Sequence, residues 1–220
     1  MILNAKTKNL AVYEKLRQDI IRGKLKPGQR IVMGNLAKEY GLSATPVREA
    51  IIRLQSDGYV NFTPHLGALV SKIDESELIG IYLIRIELEA LATRLATPHI
   101  TDKDIEFLED KNREMELAIQ RKEHENLGGL NREFHLRIYR AAGIPRLYNM
   151  ICDLWEAFQR SQSVFSYAPE RAVASVAEHR EIVEAFKVKD TELAERLIKE
   201  QKARAMEALK RFTAQGATEQ

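Results

Sequence analysis

At 220 residues the chain is long enough for two modest domains, and its composition, 45% hydrophobic and 30% charged, is that of a globular protein. No apolar run nears the roughly 20 residues needed to span a bilayer, Met1–Leu10 is too polar for a secretory signal, and a lone Cys152 can neither staple the fold nor build a cysteine zinc motif. Cytoplasmic residence without membrane contact is the expectation, with Cys152 a small buried apolar group.

The net charge of +2 hides an asymmetry. Met1–Lys72 carries 12 Lys and Arg against 5 Asp and Glu, and the remainder carries 22 against 27. A front of +7 and a back of −5 suggest two domains, 1–72 and 73–220, with different partners. The basic one generates the field that attracts phosphates.

Taken in chain order, Leu10–Arg22 reads as a first helix, with Val12, Tyr13, Leu16 and Ile20 at helical spacing and Gly23 as its stop. Pro27-Gly28 makes a turn. A short helix spans Asn35–Tyr40, and a third begins at Ser43–Pro46, where Ser43 or Thr45 can cap and Pro46 sits in the tolerant first turn. Tyr59–Thr63 and Ala68–Lys72 read as strands joined by Pro64-His65-Leu66-Gly67. Three helices followed by a hairpin are the order of a winged helix-turn-helix.

Beyond Lys72 every segment reads as helix. Asp74 with Glu77 caps one helix to Ala96, and Pro98 breaks it. Thr101 with Asp104 opens the next, to Lys122. After a polar stretch, His124–Gly129, further helices cover Leu130–Gly143 and the segment from Pro145. A loop at Ser163–Glu170 precedes helices at Arg171–Lys187 and Asp190–Phe212, and the tail from Thr213 frays. The expected fold is mainly α: the winged helix-turn-helix plus an all-α bundle of six to seven helices.

A helix-turn-helix lays its second helix in the major groove, with its N-terminal residues near bases and phosphates. Here that end offers the hydroxyls of Ser43 and Thr45 and the guanidinium of Arg48, which can grip a guanine or clamp a phosphate. Thr45 can equally serve only as a cap. Arg53 can reach the backbone or pair with Glu49.

The run Leu25-Lys26-Pro27-Gly28, then Leu36-Ala37, then Leu42-Ser43-Ala44-Thr45-Pro46-Val47-Arg48-Glu49-Ala50, then Leu54 and Gly58-Tyr59-Val60, with Gly67 and Val70 in the wing, resembles the GntR family of bacterial regulators. The resemblance implies that Ser43, Thr45, Arg48 and the wing-tip residues His65, Leu66 and Gly67 contact double-stranded DNA. The chain departs from the family at Ala44, where arginine is frequent, and at Gly34, near which a charged or polar residue is frequent.

The helical half resembles the FadR-like subfamily, whose effector domain is called FCD, in Ile84–Glu89, in Asn131-Arg132-Glu133-Phe134-His135, in Glu178-His179 and in Asp190 with Ala194. Many members bind a divalent metal (zinc, nickel or manganese) through an Asp and a His four apart on one helix and a His on each of the last two. This chain places Asn131, His135, His179 and Gln201 there, so a metal would have Asn131, His135 and His179 as ligands. Alternatively, the two histidines hydrogen-bond an effector or each other. Arg85 can hold a carboxylate or pair with Glu89.

The resemblance implies a ligand-responsive regulator, a repressor in the commoner sense. It would sense a small organic acid at Arg85, Asn131, His135, His179 and Gln201, and bind a palindromic operator as a homodimer. Trp155 and Phe158 sit at core spacing. A di-iron bundle enzyme would need Glu-x-x-His pairs, and no histidine has a glutamate three residues before it. No nucleotide or triad signature is visible either.

Overall fold

A computed structural model of the chain describes residues 5–21, 24–71, 75–123, 126–159, 168 and 170–218. It divides into two compact units, one built on Met1–Ile73 and the other on Asp74–Phe158 and Ser163–Gln220.

In the first unit, α1 (Ala5–Ile21), α2 (Met33–Glu39) and α3 (Ala44–Ser56) precede the hairpin β2 (Val60–Thr63) and β3 (Gly67–Val70). A two-residue strand, β1 (Arg30–Ile31), pairs antiparallel with β3, giving the sheet order β1-β3-β2. Sequence alone missed β1, because two residues carry no readable alternation. It is held from outside: Gly28 N donates to the Val70 carbonyl at 2.9 Å, and Val70 N donates to Gln29. Val12, Leu16 and Ile20 of α1 meet Val47, Ile51 and Leu54 of α3 over Val60 and Val70 of the wing. The first helix begins at Ala5, five residues before the expected start at Leu10. The expected stop at Gly23 lies outside the described residues.

The second unit comprises α4 (Glu75–Ala96), a 3-10 turn (Thr97–His99), α5 (Asp102–Gln120), α6 (Leu127–Ala141), α7 (Pro145–Gln159), α8 (Glu170–Lys187) and α9 (Thr191–Thr218). The capping box opening α5 forms as expected: the Thr101 hydroxyl accepts from Asp104 N, and the Asp104 carboxylate accepts from Thr101 N at 2.8 Å. The cap expected at Asp74 and most of the loop expected from Ser163 lie outside the described residues.

Two boundaries differ from expectation. Helix α6 starts at Leu127, before Gly128 and Gly129, because fully buried Leu127 joins Met115, Ala172 and Val176 in a small cluster whose burial outweighs the glycines' weak propensity. The backbone of α9 continues to Thr218 where fraying was expected, past Gly216, the weakest helix former after Phe212.

Packing in the bundle runs α4 to α6, α6 to α5, α5 to α8, α8 to α9, and α9 back to α4. The five helices close a ring, and α7 adds Leu147, Ile151 and Trp155 to its apolar core. Each ring helix carries at least one buried polar side chain: Arg85 and Glu89, Asn112, Asn131 and His135, His179, and Gln201 with Lys202.

Candidate functional site

Two sites emerge. The first is the outer face of α3 with the wing tip. Pro46, Val47, Ala50, Ile51 and Leu54 are buried, which leaves Thr45, Arg48, Glu49 and Ile52 on the opposite, exposed face at helical spacing. Ser43 holds the N-cap position, but its hydroxyl makes no cap hydrogen bond, and Thr45 lies inside the helix rather than at its cap. Both hydroxyls sit at the positively polarised end of the helix, where phosphates bind.

No described residue pairs with Arg48, whereas the other charges on this face are engaged. Glu49 accepts from Asn9 Nδ2 at 2.8 Å. Arg53 lies over the Tyr13 ring at 4.2 Å with Asp57 at 3.9 Å, so of its two alternatives the pair with Glu49 does not form. At the wing, Leu66 N donates to Thr63, closing a turn with Pro64 and His65 in its centre. His65 takes the left-handed conformation at φ 65° and Gly67 follows at φ 81°, which leaves His65 and Leu66 exposed at the tip.

The second site is the centre of the ring. Glu89 is its hub: Oε1 accepts from Arg85 Nε at 2.6 Å, Oε2 lies 3.2 Å from Lys202 Nζ, and the Tyr139 hydroxyl donates to Oε2. Arg85, Glu89 and Lys202 are 3, 0 and 4% exposed. Burial pushes the Glu89 carboxyl up, but Arg85 and Lys202 together outweigh it and hold the group ionised, below its usual range. Burial pulls Lys202 down to about 8, against the pull of Glu89. The Arg85 guanidinium stacks 4.1 Å from the Trp155 ring and also faces Tyr82 and Phe158. Its interaction with Glu89 uses only Nε, and among the described residues nothing accepts from its two terminal nitrogens. Trp155 Nε1 and both amide atoms of Gln201 are likewise buried without a partner.

The histidines meet Nε2 to Nε2 at 3.3 Å. Burial, reinforced by Lys202, keeps both neutral, well below the usual histidine range. Asn112 Nδ2 donates to the Val176 carbonyl, so its Oδ1 accepts from His179 Nδ1–H, and His179 Nε2 carries a lone pair. Tyr139 gives its one proton to Glu89, so its oxygen can only accept from His135 Nδ1, 3.3 Å away. One proton on His135 thus faces two acceptors, and the pair lacks a donor.

The metal implied by family resemblance fits this set poorly. Two nitrogens 3.3 Å apart match one edge of a tetrahedral zinc shell, about 3.3 Å for Zn–N bonds of about 2.0–2.1 Å. Beyond that edge the two remaining ligand positions implied by the resemblance hold only neutral amides, Asn131 and Gln201. Among the described residues no three His, Cys, Asp or Glu side chains gather, and Glu89 is committed to its three partners. Arg85 and Lys202 against Glu89 leave the centre one positive charge in excess, which repels a dication.

Sequence reading found Arg85, His135 and His179, all of which meet here, but missed Asn112, Tyr139 and Lys202. For Lys202 a signal existed: Ala194, Ile198, Ala205 and Leu209 form the inward stripe of α9, and Gln201 and Lys202 fall within it.

Comparison with known proteins matches each half of the chain to a family domain. Residues 8–70 match the family described as bacterial regulatory proteins, gntR family, and residues 80–201 match the FCD domain. The HTH-type transcriptional regulator McbR of Escherichia coli (strain K12) is 36% identical over 146 residues, 66% of each chain. Its solved structure superposes with a TM-score of 0.75 at 29% identity, covering 96% of this chain and 99% of McbR. The HTH-type transcriptional regulator YdhC of Bacillus subtilis (strain 168) is 31% identical over 84% of this chain and 83% of its own. The HTH-type transcriptional repressor RspR of Escherichia coli (strain K12) is 26% identical over 86% and 82%. No described helix is long and apolar enough to cross a membrane.

Proposed function

The chain belongs to the gntR family of bacterial regulators with an FCD effector domain, and from that premise we propose that it is a repressor released or engaged by a small carboxylate held at the centre of the helical ring. It is a ligand-responsive, DNA-binding transcription regulator, and its named relatives are regulators rather than enzymes. The observation that carries the carboxylate reading is the set of buried donors without acceptors. These are Trp155 Nε1 and the amide nitrogen of Gln201, beside an excess positive charge to which the Arg85 guanidinium contributes two terminal nitrogens with no acceptor among the described residues. Unpaired donors beside excess positive charge fit an anion rich in lone pairs, and the terminal nitrogens of Arg85 match a carboxylate in two-point geometry. The His135–His179 pair then accepts from a donor on the same molecule. Asn131 and Gln201 complete the proposed effector set.

In this reading residues 1–72 bind DNA through Ser43, Thr45, Arg48 and the wing tip at His65, Leu66 and Gly67, and residues 73–220 bind the effector and dimerise. Leu83 and Ile84, exposed side by side on α4, suit a surface covered by a second copy. A homodimer would address a palindromic operator in the cytoplasm, and effector binding would bias it between states of different operator affinity. RspR's name supports the repressor sense.

The test is a thermal-shift screen of small organic acids followed by operator binding with and without each hit. An acid that raises Tm in wild-type protein but not in Arg85→Met, and that changes operator affinity, is the expected result. Uniform indifference to acids, or a hit that Arg85→Met binds equally well, removes the carboxylate reading.

A further inference from the structure

We infer that the ammonium of Lys202 occupies the electrostatic role of a divalent cation in this bundle, so that the pocket takes its anion without metal. The inference rests on the effector-pocket reading above and concerns what supplies the positive charge there. Three observations carry it.

The donor set is depleted. Of the four positions where the family resemblance implies ligands, only His135 and His179 keep a ligating nitrogen, and Asn131 and Gln201 bring no charge. Neutral amides are weak ligands beside carboxylate and imidazole. Two imidazoles alone fall short of the three or four protein ligands that fix zinc.

The nearby carboxylate is not free to compensate. Each Glu89 oxygen is engaged, by Arg85 on one side and by Lys202 and Tyr139 on the other. Releasing it to a metal would strand two buried cations.

A cation is already built in. Lys202 is buried, lies next in sequence to Gln201, and holds its ammonium 5.2 Å from the Trp155 ring, whose centre is 5.9 Å from that of His135. The same indole stacks on Arg85 at 4.1 Å. Two cations therefore flank one indole, and among the described residues Glu89 is the one carboxylate in direct contact with them, with Glu178 acting on Lys202 from further away. An incoming dication meets like charge, and an incoming carboxylate meets opposite charge.

The test uses the full-length protein after growth in medium supplemented with zinc, nickel and manganese. Bound metal is read by elemental analysis after desalting, and Tm is read with and without EDTA. Wild type is expected to retain below about a tenth of an equivalent of any of the three metals and to melt at the same temperature in EDTA. The double variant Asn131→Asp/Gln201→His restores the depleted donors and is expected to take up about one equivalent of zinc. Adding Lys202→Met to it is expected to tighten zinc at least about ten-fold, whereas adding Lys202→Arg, which keeps the charge, should not.

Circular dichroism of each variant reports folding, and the comparison between Met and Arg at 202 is read among folded proteins. Near-stoichiometric metal in wild type with a drop in Tm on EDTA overturns the inference, as does zinc affinity indifferent to the charge at 202. Failure of the triple variant to bind zinc overturns the donor argument. None of these outcomes depends on the identity of the effector, so loss of the carboxylate reading, seen in the acid screen with EDTA present, is scored separately.

Discussion

Replacing Glu89 by alanine is the most demanding test of the ring's centre. The carboxylate is fully buried between Arg85 Nε at 2.6 Å and Lys202 Nζ at 3.2 Å. Removing one partner of a buried ion pair costs about 3–5 kcal/mol, because the remaining charge stays desolvated and unpaired. Here the loss strands the Arg85 guanidinium and pushes Lys202, already down at about 8, toward its neutral form, so a cost within that range, set mainly by Arg85, is expected. Domains of ordinary stability hold about 5–15 kcal/mol, so the variant should sit near the edge of folding.

Glu89→Gln keeps an acceptor for Arg85 but removes the charge, and should fall between the two proteins. Urea unfolding followed by tryptophan fluorescence reads this site directly: Trp155 is the chain's one tryptophan and lies 4.1 Å from the Arg85 guanidinium. A midpoint giving less than about 1 kcal/mol of destabilisation for Glu89→Ala would mean that the buried guanidinium of Arg85 is stable without its counter-ion. That result would refute the account of a buried, charge-excess centre.

Three further outcomes are expected. Arg48→Ala should weaken operator binding by about 1–3 kcal/mol in fluorescence anisotropy; wild-type affinity would take Arg48 out of the reading head. Operator affinity should fall linearly on a log–log plot against salt, and if Arg48 grips a phosphate its removal should lower the slope by about one; a flat salt series would contradict a basic binding face. Asp104 should contribute to acid stability. Burial raises its carboxyl, but the Thr101 cap and Arg137, 2.6 Å away, hold it below its usual range. A depressed carboxylate stabilises the fold above its unfolded value of about 3.9 and loses that contribution as pH falls through the lower folded value. Asp104→Asn should therefore cost about 1–2 kcal/mol at neutral pH, with the gap to wild type closing below about pH 4; a gap constant with pH would assign the effect to packing.

The DNA-binding unit was nearly all legible because its signals are local. Apolar spacing set α1 and α3, Gly41 and Gly58 marked the ends of α2 and α3, and Pro64–Gly67 set the wing turn. Only β1 was invisible, since Arg30–Ile31 becomes a strand through the bonds that β3 offers it. The bundle's helices were legible for the same reason, but its centre was not. His135 and His179 are 44 residues apart, and Asn112 and Lys202 lie further out on two other helices. Their meeting depends on which faces of five helices close the ring, which no single window contains. Tyr139 reads as an ordinary core aromatic until Glu89, 50 residues away, takes its proton.

The substitutions at the centre make one electrostatic pattern. A metal site draws positive charge from an exchangeable ion and balances it with a carboxylate ligand. Here the carboxylate position is Asn131, the final histidine position is Gln201, and a lysine stands beside it. Removing an anionic ligand while adding a buried ammonium shifts the centre in one direction, toward net positive charge that is covalently fixed. A carboxylate entering such a centre gains its counter-charge from Lys202 and Arg85 without waiting for metal occupancy. A regulator built this way should release or engage its operator at the same acid concentration with and without chelator. An acid response that vanishes in EDTA and returns with zinc would mean that the two imidazoles, 3.3 Å apart, hold an ion despite the lysine.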